Sequence, residues 1–212
     1  MADTFKYHNQ ELPLFDHEYN TTLLNERAVE IPILMHWLAE HSMGRGLEVG
    51  NVLEHYFPDL VPRRIVDAYE EAEGVENLDV FEIKGEYDFI FAISTLEHVR
   101  WDPPEERDVH GAMLAVSHLY RCLTHGGKML ITVPFGSNPG LDYAILSGYW
   151  GPGWLKRQCV MMRGGGLWYE TVATGRWECK GSTWHQADSI WWERYGKSTP
   201  WADAVWIGEF ER

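Results

Sequence analysis

Gly46-Leu47-Glu48-Val49-Gly50-Asn51 is the stretch that decides the fold. Its small and apolar residues read as a buried strand, and Gly50, two residues past an acid, turns the chain sharply at the strand's carboxyl end. In open α/β sheets, ligands lie just outside the carboxyl ends of the strands. Glu48 and Gly50 therefore form one wall of a candidate nucleotide-like pocket.

Working outward, a second strand is expected at Arg64 to Ala68, ending at Asp67. Pro58 and Pro62 leave room before it for a short helical turn only. A third, weaker strand is expected near Val80 to Ile83. Tyr87 to Ser94 is the clearest buried strand, because Phe89-Ile90-Phe91-Ala92-Ile93 is a continuous apolar run. Pro103-Pro104 then read as a helix start, and Val109, Ala112, Met113, Val116, Leu119, Tyr120 and Leu123 recur at helical spacing. Gly126-Gly127 are expected to stop that helix, and Lys128 to Val133 is the next strand. Strand, helix and strand at this spacing imply parallel pairing with a right-handed crossover, and so an α/β sheet covered on both faces.

The flanks are less regular. Residues 1–20 are polar and aromatic without period and read as an arm. Thr21 to His41 carries a helical face of Leu24, Ala28, Ile31, Met35 and Leu38. Pro32 should kink that helix or split it into two. Nine of the eleven tryptophans lie from Trp150 onward. Gln158 to Met162 and Leu167 to Val172 flank Arg163-Gly164-Gly165-Gly166 as a hairpin, and Ala204 to Phe210 reads as a final strand. No linker separates these parts. The expectation is one domain over 1–212, with arm and helices at 1–45, a core at 46–136, and the substrate side with its C-terminal strands at 137–212.

Composition narrows the function classes. The formal net charge of −14 disfavours nucleic acid and anionic membranes as partners and favours cations. Cys122, Cys159 and Cys179 have no CxxC spacing, which argues for reduced thiols rather than a zinc site or a disulfide framework. No early stretch resembles a signal peptide, and no apolar run approaches the about 20 residues that span a bilayer. The expected setting is cytoplasmic.

Acids recur at the strand ends: Glu48 on the first, Asp67 about 20 residues later on the second, and Asp79 near the third. A strand-end carboxylate in that place accepts hydrogen bonds from ribose hydroxyls. The order Leu47-Glu48-Val49-Gly50, Val66-Asp67, Tyr87 to Val99 and Gly126-Gly127-Lys128 to Pro134 resembles class I S-adenosylmethionine-dependent methyltransferases. The resemblance covers roughly Gly46 to Asn138, and its most specific part is Ser94-Thr95-Leu96-Glu97-His98-Val99 with the later Gly-Gly strand. It implies a Rossmann-like, mostly parallel seven-stranded sheet with an antiparallel last strand and helices on both faces.

The resemblance also implies S-adenosylmethionine as cofactor. Glu48, Gly50 and Asn51 would shape the loop at its methionine end. Asp67 would hold the ribose, Asp79 and Val80 would meet the adenine, and Ser94 and Thr95 would lie beside the methionine moiety. His98 would face the acceptor as general base. Asn138 and Asp142, read as a turn after the fifth strand, fall on the substrate side, and Tyr19 could fold over the site as a lid.

The sequence departs from the family's pattern at Val52 and Glu54, where glycines usually alternate after the acid. Glu54 could crowd the cofactor or replace a water-mediated contact. Two readings follow. One is methyl transfer to a small polar molecule such as a sugar or nucleotide-sugar. The other is a catalytically weak module that holds the cofactor or docks a protein through its tryptophan-rich third, where Trp191, Trp192, Trp201 and Trp206 leave room for a homodimer contact. A nicotinamide dehydrogenase fails locally, since GxGxxG cannot be written at Gly50.

Overall fold

The computed structural model describes residues 4–102, 107–164, 167–171, 176–180, 183–187 and 204–212. In chain order, β1 (Thr4–Tyr7) and β2 (Gln10–Pro13) form an antiparallel hairpin, and a 3-10 segment (Tyr19–Leu24) leads into α1 (Arg27–His41). Then come β3 (Gly46–Val49), β4 (Arg63–Val66), β5 (Val75–Glu76), β6 (Tyr87–Ile93), α2 (Gly111–Arg121), β7 (Leu123–Pro134) and α3 (Pro139–Ser147). The last third contributes β8 (Leu155–Gly164), β9 (Leu167–Thr171), the hairpin β10 (Arg176–Lys180) and β11 (Thr183–Ala187), and β12 (Ala204–Glu211).

The main sheet has eight strands in the order β5-β4-β3-β6-β7-β12-β8-β9. β5, β4, β3, β6 and β7 are parallel. β12 runs antiparallel between β7 and β8. That is the expected seven-stranded plan with its antiparallel last strand. β9, paired antiparallel to β8, adds an eighth strand through the hairpin read around Arg163.

Side chains alternate along β6, as a pleated strand requires. Phe89, Phe91 and Ile93 face α1 and the β1–β2 hairpin, where Phe5, Tyr7, Val29, Ile33, Leu34 and Trp37 pack. Ile90 and Ala92 face α2 and α3, against Val116, Leu119, Leu141 and Ile145. Both faces are therefore covered by helix, and the apolar run of β6 sits at the centre.

Pro32 lies inside α1 without splitting it. The break falls earlier, at Asn25, whose Oδ1 accepts from Arg27 N at 2.9 Å. Proline lacks the donor that would bond the carbonyl of Ala28. The amide of Phe15, from the arm, donates to that carbonyl instead, at 3.0 Å.

Several expectations need correction. The third strand is Val75–Glu76, and Val80–Glu82 is a 3-10 turn capped by Asp79. The Asp79 carboxylate accepts from Phe81 N at 2.8 Å while Glu82 reaches back to Asp79 N; this capping box outcompetes a strand there. Pro103 and Pro104 lie outside the described residues, and α2 begins only at Gly111. α2 ends at Arg121, before the two glycines, which lie within β7. Asn138 to Asp142 is no plain turn. The Asn138 side chain accepts from Gly140 N and Leu141 N at 3.0 and 3.1 Å and so caps α3, with Pro139 in the first turn. Trp191, Trp192 and Trp201 lie outside the described residues.

Trp206 is fully buried, stacks on Trp150 with centroids 5.6 Å apart, and donates through Nε1 to Gln158 at 2.9 Å. A Cβ on Gly208 would stand 2.1 Å from that indole. Gly208→Ala should therefore lower the unfolding free energy by about 1–3 kcal/mol through overpacking, read as a lower urea midpoint at constant m-value.

Candidate active site

A cavity of about 420 Å³ opens at the carboxyl ends of β3, β4 and β6. Among the residues proposed from the sequence, it brings together Gly50, Asn51, Asp67, Asp79, Val80, Ser94, Thr95 and His98. Its size falls within the range of about 300–1,000 Å³ that holds small-molecule ligands.

Glu48 shapes the loop from beneath and does not line the cavity. It is buried on the α1 side of the sheet, accepts from Val52 N at 2.9 Å and Leu53 N at 2.7 Å, and pairs with Arg63. Burial pushes its pKa up, while Arg63 and the two amides pull it down. Glu54 turns away as well, accepting from Arg63 Nη2 at 2.8 Å. Val52 lines the cavity. The space that alternate glycines would leave is thus kept open by ion pairing on the opposite side of the loop.

Gly50 has φ +85°, and a Cβ there would meet Thr95 Oγ1 at 2.1 Å, so the turn requires glycine. Asn51 is buried, donates to Glu70 Oε1 at 2.8 Å, and its Oδ1 has no partner among the described residues. Asp67 uses one oxygen for Tyr69 N and Glu70 N, both at 2.8 Å, and its other oxygen is only 3.4 Å from Asn51 N. That second oxygen, with one long bond, keeps capacity for a further donor. Asp79 caps its turn through Oδ1 and still lines the cavity with Val80.

Past β6, Ser94 takes the left-handed region at φ 42°. Such backbone costs of order 1–3 kcal/mol and persists only where surroundings enforce it. Here Ser94 N donates to Thr132 O at 2.9 Å and Ser94 Oγ to Glu30 Oε1 at 2.6 Å. Glu30, fully buried on α1, also accepts from Thr132 Oγ1 at 2.6 Å and pairs with Arg27. Ser94 therefore offers only its backbone to the cavity.

His98 is 58% exposed, and its Nδ1 lies 2.6 Å from Asp102 Oδ2. That carboxylate holds the proton on Nδ1 and leaves Nε2 basic. Partial burial lowers the imidazole pKa, but Glu97 and Asp102 outweigh it and raise it. Glu97 is 3% exposed, with Oε1 3.7 Å from His98 Nε2, and burial pushes its carboxyl up to about 7.

Three proposed substrate residues lie elsewhere. Asn138 is buried and donates through Nδ2 to Glu97 O at 2.9 Å. Asp142 is buried with Oδ1 accepting from Gly136 N at 2.9 Å, and burial pushes its carboxyl up to about 8. Tyr19 stacks on His55 with centroids 4.8 Å apart, and His55 in turn reaches Glu70 at 3.0 Å. Residues the sequence reading missed are Tyr69, Glu70, Leu78, Val99, Arg100 and Asp102. The i,i+4 spacing of His98 and Asp102 was the available signal for the last. No group of His, Cys, Asp and Glu among the described residues could hold a metal ion, and no described helix is long and apolar enough to cross a membrane.

No protein-family model matches the sequence, and no curated protein does. Solved structures do match. The N-methyltransferase NodS of Bradyrhizobium japonicum WM9, in complex with S-adenosyl-l-homocysteine, superposes with a TM-score of 0.51 at 11% identity, covering 88% of this chain and 87% of that one. Magnesium protoporphyrin IX methyltransferase of Synechocystis PCC 6803, with bound S-adenosylmethionine, gives 0.44 at 10% identity over 85% and 76%. A methyltransferase of Clostridium acetobutylicum gives 0.41 at 9% over 84% and 88%. The chain has the class I S-adenosylmethionine-dependent methyltransferase fold.

The folded state holds the Asp142 proton up to about pH 8, while the unfolded chain releases it near pH 4. Stability from this group should therefore fall as pH rises across that window and then level off. Asp142→Asn should remove this slope: urea unfolding should give the variant about the same free energy at about pH 5 and about pH 8, while the unaltered chain is a few kcal/mol less stable at about pH 8 than at about pH 5.

Proposed function

We propose that this chain binds S-adenosylmethionine in the cavity at the strand ends and transfers its methyl group to a small polar molecule of the sugar or nucleotide-sugar class. The observation that carries the reading is the convergence of Gly50, Asn51, Asp67, Asp79, Val80, Ser94, Thr95 and His98, from four separate segments, on one cavity. The cofactor supplies a methyl group on a positively charged sulfur.

The chain's residues do the rest. Asp67 accepts from the ribose, and Asp79 with Val80 meets the adenine. Asn51 lines the same cavity beside the ribose. The backbone of Ser94 and Thr95 lines the methionine end. His98 Nε2 is placed to take a proton from the acceptor, with Asp102 orienting the ring. Alignment of the two reactants alone supplies several kcal/mol. The acidic surface disfavours nucleic acid as acceptor. A binding module without turnover is the competing reading. Val52 that lines the cavity without filling it, and Glu54 turned to Arg63, favour the enzyme.

Isothermal titration with S-adenosylmethionine and S-adenosylhomocysteine tests the reading; absence of binding by both at millimolar concentration would sink it. Asp67→Asn keeps one acceptor for the Tyr69 and Glu70 amides and should weaken cofactor affinity about tenfold, near 1.4 kcal/mol.

A further inference from the structure

His98 stands on a short support. It ends the 3-10 turn Leu96–His98, whose own bonds are long: His98 N to Thr95 O and Val99 N to Leu96 O, both at 3.2 Å. Single turns of this kind have poor hydrogen-bond geometry. Thr95 does not cap it, because its Oγ1 donates back to Ile93 O at 3.1 Å. The carbonyl of His98 is taken by Trp101 N and Asp102 N, which belong to the same loop. Among the described residues, one hydrogen bond reaches residues 95–99 from outside 93–102: Asn138 Nδ2 donates to Glu97 O at 2.9 Å.

Asn138 is itself firmly held. Its Oδ1 accepts from Gly140 N and Leu141 N, and its carbonyl accepts from Asp142 N at 2.9 Å. Asp142 in turn takes Gly136 N, and a Cβ on Gly140 would collide with Val109 O, so the start of α3 has little freedom. Capping α3 needs only an acceptor, which serine or aspartate would supply about as well. Asparagine adds an N–H donor on the same planar amide. One orientation of that amide serves all three partners, with oxygen toward the helix amides and nitrogen toward Glu97 O.

Resting on the reading of His98 as general base, we propose that Asn138 is a positioning residue for it: anchored at the start of α3, its amide holds the Glu97 carbonyl and so sets where the next residue's imidazole stands. The ring must meet the Asp102 carboxylate at Nδ1 and present Nε2 to the cavity. A base works only within hydrogen-bond reach of its proton, about 2.6–3.2 Å, and a misplacement of about 1 Å is enough to disable it. Asn138 does not line the cavity; it acts through the turn alone.

The test reads the His98 ring by nitrogen-15 NMR in the full chain without cofactor, with His98→Gln identifying its signals. In the neutral ring of the unaltered chain the proton should sit on Nδ1, held by Asp102. Asn138→Ser keeps an acceptor for the α3 amides but is too short to reach Glu97 O. It should shift the tautomer ratio away from Nδ1–H at least about tenfold, the size set by a hydrogen bond to a charged group. Asn138→Asp keeps the length and the cap, lacks the donor, and gives the same readout if the serine variant does not fold. Gly148→Ala strains the left-handed residue that ends α3, at φ 64°, without touching the amide. It should lower the urea midpoint and leave the His98 tautomer as in the unaltered chain. A proton on Nε2 in the unaltered chain, a ring unchanged by either Asn138 variant, or one changed equally by Gly148→Ala would each overturn the proposal. Failure of the unaltered chain to bind S-adenosylhomocysteine would instead overturn the cofactor reading, and the imidazole measurement does not depend on it.

Discussion

A single carboxylate under a loop makes the cavity possible. Glu48 points away from the pocket, takes two backbone amides of the turn that follows, and is balanced by Arg63. Families with glycine at alternate positions gain space by omitting side chains. Here Val52 lines the cavity, and Arg63 engages Glu54, which keeps that residue on the far side. Breaking a buried pair by deleting one partner typically costs about 3–5 kcal/mol, so the loop's shape and the fold's stability are bound to the same contact.

A second buried carboxylate performs a parallel task at the next strand. Glu30 belongs to α1, yet it holds Ser94 at the end of β6 and Thr132 in β7. The helix that covers one face of the sheet thus also fixes the backbone at the rim of the candidate site. α1 is a covering element by its apolar face and a positioning element by its one fully buried acid.

Much of this was legible in the residues. The continuous apolar run Phe89 to Ile93 has no solvated face, which marks a central strand. Gly50 after a buried acid marks a turn with no room for a side chain. Of the three acids read together, Asp67 and Asp79 line the cavity, while Glu48 lies beneath its loop. What escaped the reading depends on contacts between distant segments. The pairing of Glu48 with Arg63 and the fastening of Ser94 by Glu30 have no local signature. Asn138 has turn composition, but only the position of α3 shows that it caps a helix. Val80 to Ile83 has strand composition, yet the local Asp79–Glu82 hydrogen bonds win over it. Tyr19, exposed and aromatic, has a lid's character in sequence; its ring is occupied by His55.

The proline in α1 has a further effect. By removing one donor from the middle of a buried helix, it leaves a carbonyl that only a foreign amide can satisfy, and Phe15 provides it. The arm is therefore tethered by main chain as well as by the side chains of Leu12, Leu14 and Phe15. Inserting or deleting one residue between the hairpin and Phe15 would shift which amide meets the helix. What looks like a flaw in the helix acts as a ruler for the segment ahead of it.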